Sequence, residues 1–283
     1  MIVYLLVTAL SLLLAQGVRS DTAARAGRSS SSGGTTSGGS RRVPARGNGI
    51  SRRRALSDLC LWLLFAVLFI PEALRVNTGN DYAKYVDFFH NIGSSAYGYV
   101  ATEFGFNAVV KLIYTLSGFE NYLLVFAVFA ALTVLFFLLA MKEQAEDFPF
   151  SFFLFMMFGY YFQSYNTVRY YFVLSLVLWA CRFLLDGRYA YFVLTVLAAA
   201  AFHKSVLAVL VLYPLALLPW KRWMLVLMTA AGAGIYLTRG FWLRAAVRLY
   251  PSYEGTEFLT GVTVSWSNVA RCVLILAAAY YVR

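Results

Sequence analysis

Long apolar runs separated by short polar stretches set the pattern of this chain. Residues 121–141, 148–168 and 223–238 contain no Asp, Glu, Lys or Arg, and a helix needs about 20 mostly apolar residues to cross the hydrocarbon of a bilayer. Run length and periodicity predict a first span over 1–18, then spans near 57–74, 121–141, 149–165, 167–184, 189–203, 205–219, 222–238 and 266–282, several of them shorter than a full crossing. Between the second and third of these lies a polar stretch, 75–99, and then a mildly amphipathic helix near 101–116 that carries Glu103 and Lys111. That helix is expected to be re-entrant or interfacial. The expected fold is therefore all-α, a polytopic transmembrane helical bundle of about nine spans plus one re-entrant or interfacial helix.

The polar intervals divide the chain into a first transmembrane helix (1–18), a flexible Ser/Gly/Arg-rich cytoplasmic loop (19–54) and a polytopic membrane domain (55–283) with an outer-face polar loop over 75–100. Residues 29–40 are almost pure Ser, Gly and Thr, the composition of a flexible linker. A cleavable signal peptide fits the first run poorly. No basic residue precedes its apolar core, and cleavage would leave the 41–54 Arg cluster outside.

Treating the 101–116 helix as non-spanning puts Lys142, Arg182, Arg188, Lys221, Arg222 and Arg283 on the same side as that cluster, as the positive-inside rule asks. Arg239, Arg244 and Arg248 fall on the other side and count against it.

Composition narrows the function classes. Of 283 residues, 61% are hydrophobic and 13% charged, against about a quarter charged in soluble domains. The net charge of +11 does not indicate a nucleic-acid partner, because the basic residues cluster between apolar runs instead of interleaving with aromatics on one face. They read as orientation signals that also attract anionic lipid headgroups. Cys60, Cys181 and Cys272 each lie inside an apolar run, which implies neither disulfides nor a zinc site. His90 has Asp87 three residues before it but no further His or Cys nearby, so no metal is expected. Without a Gly-rich phosphate loop or a GxSxG element, no cofactor, ATP-driven chemistry or serine hydrolysis is expected either.

With this topology, four polar groups collect on the outer side. Asn166 and Arg169, three apart, would share a helical face, and a guanidinium there offers a fork of donors suited to phosphate or carboxylate. The competing reading is a snorkelling Arg at a helix end beside interfacial Tyr170 and Tyr171. His203, before Lys204 and Ser205 at a tight turn, is a candidate base or phosphate ligand, or simply a polar residue between spans. Asp81, with Tyr82 and Tyr85, follows a turn-like Asn77 to Asn80 and would present a carboxylate and aromatic rings suited to a sugar. Glu103 is a candidate general base, with a helix-start role in the field of the helix dipole as its competitor.

Taken in order, the blocks resemble a known family. Residues 77–85 read Asn-Thr-Gly-Asn-Asp-Tyr-Ala-Lys-Tyr, 102–106 Thr-Glu-Phe-Gly-Phe, 166–169 Asn-Thr-Val-Arg, and 201–205 Ala-Phe-His-Lys-Ser. This succession is similar to the EpsG family of exopolysaccharide polymerases, relatives of the Wzy O-antigen polymerases, over roughly Arg75 to Pro219. The family's usual pattern differs at Asn80, at Phe104 where Pro is common, and at Tyr170 where Gln is common. The chain also stops sooner than such polymerases usually do, so a shortened or incomplete member is expected.

The resemblance implies glycosyl transfer on the outer face of a bacterial cytoplasmic membrane, from undecaprenyl diphosphate onto another lipid-linked repeat unit. It implies a metal-independent enzyme whose partners are the bilayer, the lipid-linked glycan and a possible chain-length regulator or other assembly protein. Arg169 and Arg75 would hold the diphosphate, Asn166 would orient Arg169 or a sugar, and Tyr82, Tyr85 and Ser205 would complete the substrate site. Asp81, Glu103 and His203 remain alternative bases. The rival readings are a flippase of lipid-linked oligosaccharide and another membrane transferase, such as an O-antigen ligase or an acyltransferase.

Overall fold

The computed structural model describes residues 2–22, 49–94, 102–218, 221–249 and, near the C-terminus, 266, 269, 270, 272–274 and 277. All regular structure among the described residues is helical. The chain forms two compact units, 1–217 and 218–283. In the first, α1 (Ile2–Ala15), α2 (Gly49–Ala73), α3 (Tyr82–Ser94), α4 (Phe104–Ser117), α5 (Tyr122–Gln144), α6 (Phe148–Met157), α7 (Tyr160–Ser164), α8 (Val168–Leu185) and α9 (Tyr189–Ala200) are followed by a 3₁₀ segment (Lys204–Val211) and α10 (Leu212–Leu217). The second unit contains α11 (Arg222–Leu237) and α12 (Arg239–Leu249).

Among the described residues, three helices are long and apolar enough to cross a membrane: Arg52–Ala73, Tyr122–Gln144 and Val168–Leu185. Of these, α5 is the axis of the first unit, packed against both α8 and α2. A helix that is apolar all round is covered by other helices or by lipid, and α5 contributes to two cores. Val125, Phe126 and Phe129 join Phe89, Phe106, Phe172 and Phe192 in one. Val134, Phe137 and Leu138 join Leu64, Leu68, Phe152 and Tyr161 in the other. Its start is fixed by Asn121, whose side chain accepts a hydrogen bond from the Leu124 amide at 3.0 Å.

Several expected spans take other forms. The run over 149–165 is interrupted at Gly159, whose φ of 76° ends α6 and starts the short α7; glycine adopts this left-handed conformation without a Cβ clash. The run over 205–219 is a 3₁₀ segment followed by α10, not one span. The helix expected near 101–116 is α4, whose 14 residues reach about 21 Å at 1.5 Å per residue, short of the ~30 Å hydrocarbon. The 19–54 loop and the 266–282 span fall largely outside the described residues.

Candidate functional site

Three of the four polar blocks meet around one carboxylate, and the first joins them through Tyr85 and Asn80. Glu103 stands at the N-cap of α4 but makes no side-chain cap. Its Oε2 instead accepts a hydrogen bond from Arg169 Nη1 in a close ion pair, each side chain 14% exposed. Its Oε1 accepts from the Lys204 amide at 3.3 Å, and His203 Nδ1 approaches the same oxygen at 3.5 Å without hydrogen-bond alignment. Glu103 thus stands at a helix start and also cross-links α4, α8 and the turn after α9.

Local structure brings each partner to this point. Arg169 lies in the first turn of α8, where backbone amides lack intrahelical acceptors, and the Tyr85 hydroxyl accepts from the Arg169 amide at 3.4 Å. The Arg169 guanidinium lies over the rings of Phe106, Phe88 and Tyr85 at 5.4, 5.6 and 5.9 Å, a cation–π cradle. The His203 ring meets Tyr170 edge-on at 5.9 Å.

Two glycines permit the close approach of these blocks. The Gly105 amide donates to the Ala201 carbonyl at 2.8 Å, and a Cβ at Gly105 would stand 2.8 Å from that oxygen. Gly79, at φ 98°, has the Tyr165 carbonyl oxygen 2.4 Å from where its Cβ would be. Either position would clash in any other residue.

The remaining candidates divide. Asn166 precedes the Thr167 N-cap of α8 and so does not share a helical face with Arg169. Its Oδ1 accepts from the Asn80 amide at 3.1 Å, tying the third block to the first. Tyr82 stacks on Phe126 at 5.2 Å. Half-buried Asp81 immediately precedes α3, and its carbonyl accepts from the Tyr85 amide at 2.9 Å. Ser205 is exposed in the 3₁₀ segment. Arg75 is only 5% exposed and packs over Phe126 and Tyr165, with its Nη1 donating to the Ser164 carbonyl at 3.4 Å.

Burial opposes ionisation of Glu103, but the adjoining His203 ring, the Arg169 charge and the Lys204 amide outweigh it and hold the carboxyl at about 2. The carboxylate is thus ionised at any physiological pH. On either side of it, Arg169 Nε and His203 Nδ1 are buried with no hydrogen-bond partner. Buried polar atoms are nearly always paired, so both groups keep donor capacity that the fold does not use. Among the described residues no group of three or more His, Cys, Asp or Glu is placed to hold a metal ion.

Sequence reasoning did not find Phe88 and Phe106 as the cradle for Arg169, nor the contact between Gly105 and Ala201. The one available signal was a glycine immediately after Glu103-Phe104, a sign of close backbone approach. No curated protein and no solved structure matches the chain. The model of the EpsG family matches residues 58–283. That stretch contains all four blocks, two of the membrane-capable helices and most of the other, and the chain belongs to the EpsG family, as a membrane protein of exopolysaccharide biosynthesis.

Proposed function

We propose that this protein is a membrane glycosyltransferase that polymerises an exopolysaccharide or capsular polysaccharide. It transfers a growing glycan from undecaprenyl diphosphate to another lipid-linked repeat unit on the outer face of the bacterial cytoplasmic membrane. The observation that carries the reading is the convergence of the third and fourth blocks on Glu103, with the first block joined through Tyr85 and unpaired donor capacity at Arg169 and His203.

Each group has a physical assignment. An acceptor hydroxyl oxygen attacks the anomeric carbon of the donor, the bond from that carbon to the diphosphate oxygen breaks, and its electron pair leaves on the diphosphate. Charge therefore grows on phosphate oxygens, where a guanidinium fork is most effective. Arg169 supplies the fork, aimed by Glu103 and the aromatic cradle. Glu103 itself is too weak a base to take the acceptor proton, since its carboxyl sits at about 2. His203, beside that anion, takes the proton, and the carboxylate stabilises the imidazolium that results. Asp81, with Tyr82 and Tyr85, lies on the first block, where a sugar ring would meet carboxylate and aromatic faces.

Reconstitution decides between this and the transport reading. Full-length protein in liposomes supplied with the lipid-linked repeat unit is expected to consume single units and yield a ladder of longer glycans with release of undecaprenyl diphosphate. Movement of intact units across the bilayer without chain growth would overturn the polymerase reading in favour of a flippase.

A further inference from the structure

Behind the turn that launches α8 lies a second polar cluster. Glu72, 3% exposed near the end of α2, and Arg75, just beyond it, both reach Ser164 at the end of α7. The Ser164 hydroxyl is 3.0 Å from Glu72 Oε1 and 2.6 Å from the Tyr161 carbonyl, so its single proton is shared between two acceptors. Arg75 holds the carbonyl of the same residue. The Tyr161 hydroxyl donates to the Leu68 carbonyl at 2.7 Å, one turn back along α2. One helix end therefore grips Ser164 by both side chain and main chain.

Stability does not account for this cluster. Burying a carboxyl and a guanidinium costs their desolvation, and a well-packed apolar pair would hold the helices at least as well. Glu72 Oε2 and Arg75 Nε are moreover buried without hydrogen-bond partners, which adds to the cost. What the cluster does supply is a fixed place for residue 164, and the residues that follow carry the site. The Tyr165 carbonyl abuts Gly79, Asn166 holds the Asn80 amide, and Arg169 points at Glu103.

We propose that Glu72 is a positioning residue of the anion site: its carboxyl oxygen accepts the Ser164 hydroxyl and so fixes the 164–168 turn from which Arg169 reaches Glu103. Arg75 acts from behind that turn, through Ser164 and Phe126, instead of on the substrate. This inference rests on the reading of Arg169 as the diphosphate ligand. A shift of about 1 Å in a group that binds or stabilises a reacting centre is enough to cost ~100-fold in rate, so a hydrogen bond remote from the chemistry matters.

Two full-length double variants isolate the effect. E72Q/R75M and E72M/R75M both remove the two ionisable side chains and have the same net charge, but only Gln keeps a carbonyl oxygen for the Ser164 hydroxyl. Inorganic pyrophosphate is titrated calorimetrically into each, embedded in nanodiscs, with thermal midpoints measured alongside. E72M/R75M is expected to bind about tenfold more weakly than E72Q/R75M, or worse, a difference of roughly one well-placed hydrogen bond, with matching thermal midpoints. Equal affinities in the two variants would overturn the proposal. A wild type that binds pyrophosphate yet makes no polymer would instead overturn the polymerase reading and leave the positioning role of Glu72 standing.

Discussion

Helix α8 carries two arginines that each pair with a glutamate from a neighbouring segment, and the two pairs differ in almost everything except their chemistry. Arg169 meets Glu103 near one end of the helix and Arg182 meets Glu143 near the other; the two arginines are about 20 Å apart at 1.5 Å per residue. Both have a buried, unpaired Nε. Arg182 lies over Trp179 at 3.8 Å and Phe183 at 4.7 Å, residues of its own helix. Glu143 belongs to α5, the helix that α8 packs against most extensively. Gln144, also on α5, donates to the Leu178 carbonyl at 2.9 Å, and Lys142 pairs with Asp58 at 2.8 Å. The far end is a tie between adjacent helices, finished with charges where charges belong.

The Arg169 pair instead gathers segments that are not neighbours in sequence. Its carboxylate also receives the Lys204 amide and faces His203, its guanidinium lies over rings from α3 and α4, and its backbone amide is held by Tyr85. An ion pair alone does not mark a function. What marks it is a pair whose surroundings are over-determined from several elements while some of its hydrogen-bonding capacity is left unused.

The comparison can be broken most sharply by conservative substitution at each end. Arg169→Lys keeps the charge but loses the planar fork, and polymer turnover is expected to fall by about 100-fold or more while the protein inserts at normal levels. An Arg169→Lys protein with normal polymer length and rate would remove the site from this end of the helix.

Glu103→Gln tests a smaller effect, one that depends on pH. The folded-state carboxyl lies at about 2, below its ordinary 4.5. Its ionised form therefore stabilises the fold fully above pH 4.5, and that contribution is lost as pH falls through 2. The stability gap between wild type and Glu103→Gln, read from thermal midpoints in detergent, is expected to be constant from neutral pH to about 5 and to close as the pH is lowered toward 2. A gap that stayed unchanged across that range would mean that the carboxylate is not held by Arg169 and its neighbours. The smallest effect belongs to Arg182→Lys, which is expected to leave turnover within about twofold, as partly exposed ion pairs are worth little.

The same contrast explains what the sequence could reveal. A long charge-free run identified α5 as membrane-capable, and an apolar run with arginines only near its ends identified α8, because hydropathy over some twenty residues leaves few alternatives. The four blocks were readable through their order and spacing, and Arg169, Glu103 and His203 emerged as candidates from residue chemistry. Hydropathy cannot see how the backbone winds, however. It read 149–165 as one span although Gly159 breaks it, and 205–219 as one helix although its first half is 3₁₀. A glycine within an apolar run was the available warning.

Nor could spacing alone show that Asn166 lies outside α8, since a shift of two residues at a helix start changes which face a side chain takes. Glu72 was invisible for a different reason. At the end of an apolar run a carboxylate looks like a span boundary, and only the packing of Ser164 against it shows that it is buried.

The central claim is that Arg169, and not merely an arginine on this helix, binds the diphosphate of the lipid-linked donor. The most direct measurement titrates inorganic pyrophosphate into wild type, Arg169→Lys and Arg182→Lys, each full-length in identical nanodiscs. The account predicts affinity weakened about tenfold or more by Arg169→Lys and unchanged by Arg182→Lys. Equal affinities in the two variants, whether both intact or both reduced, would contradict it.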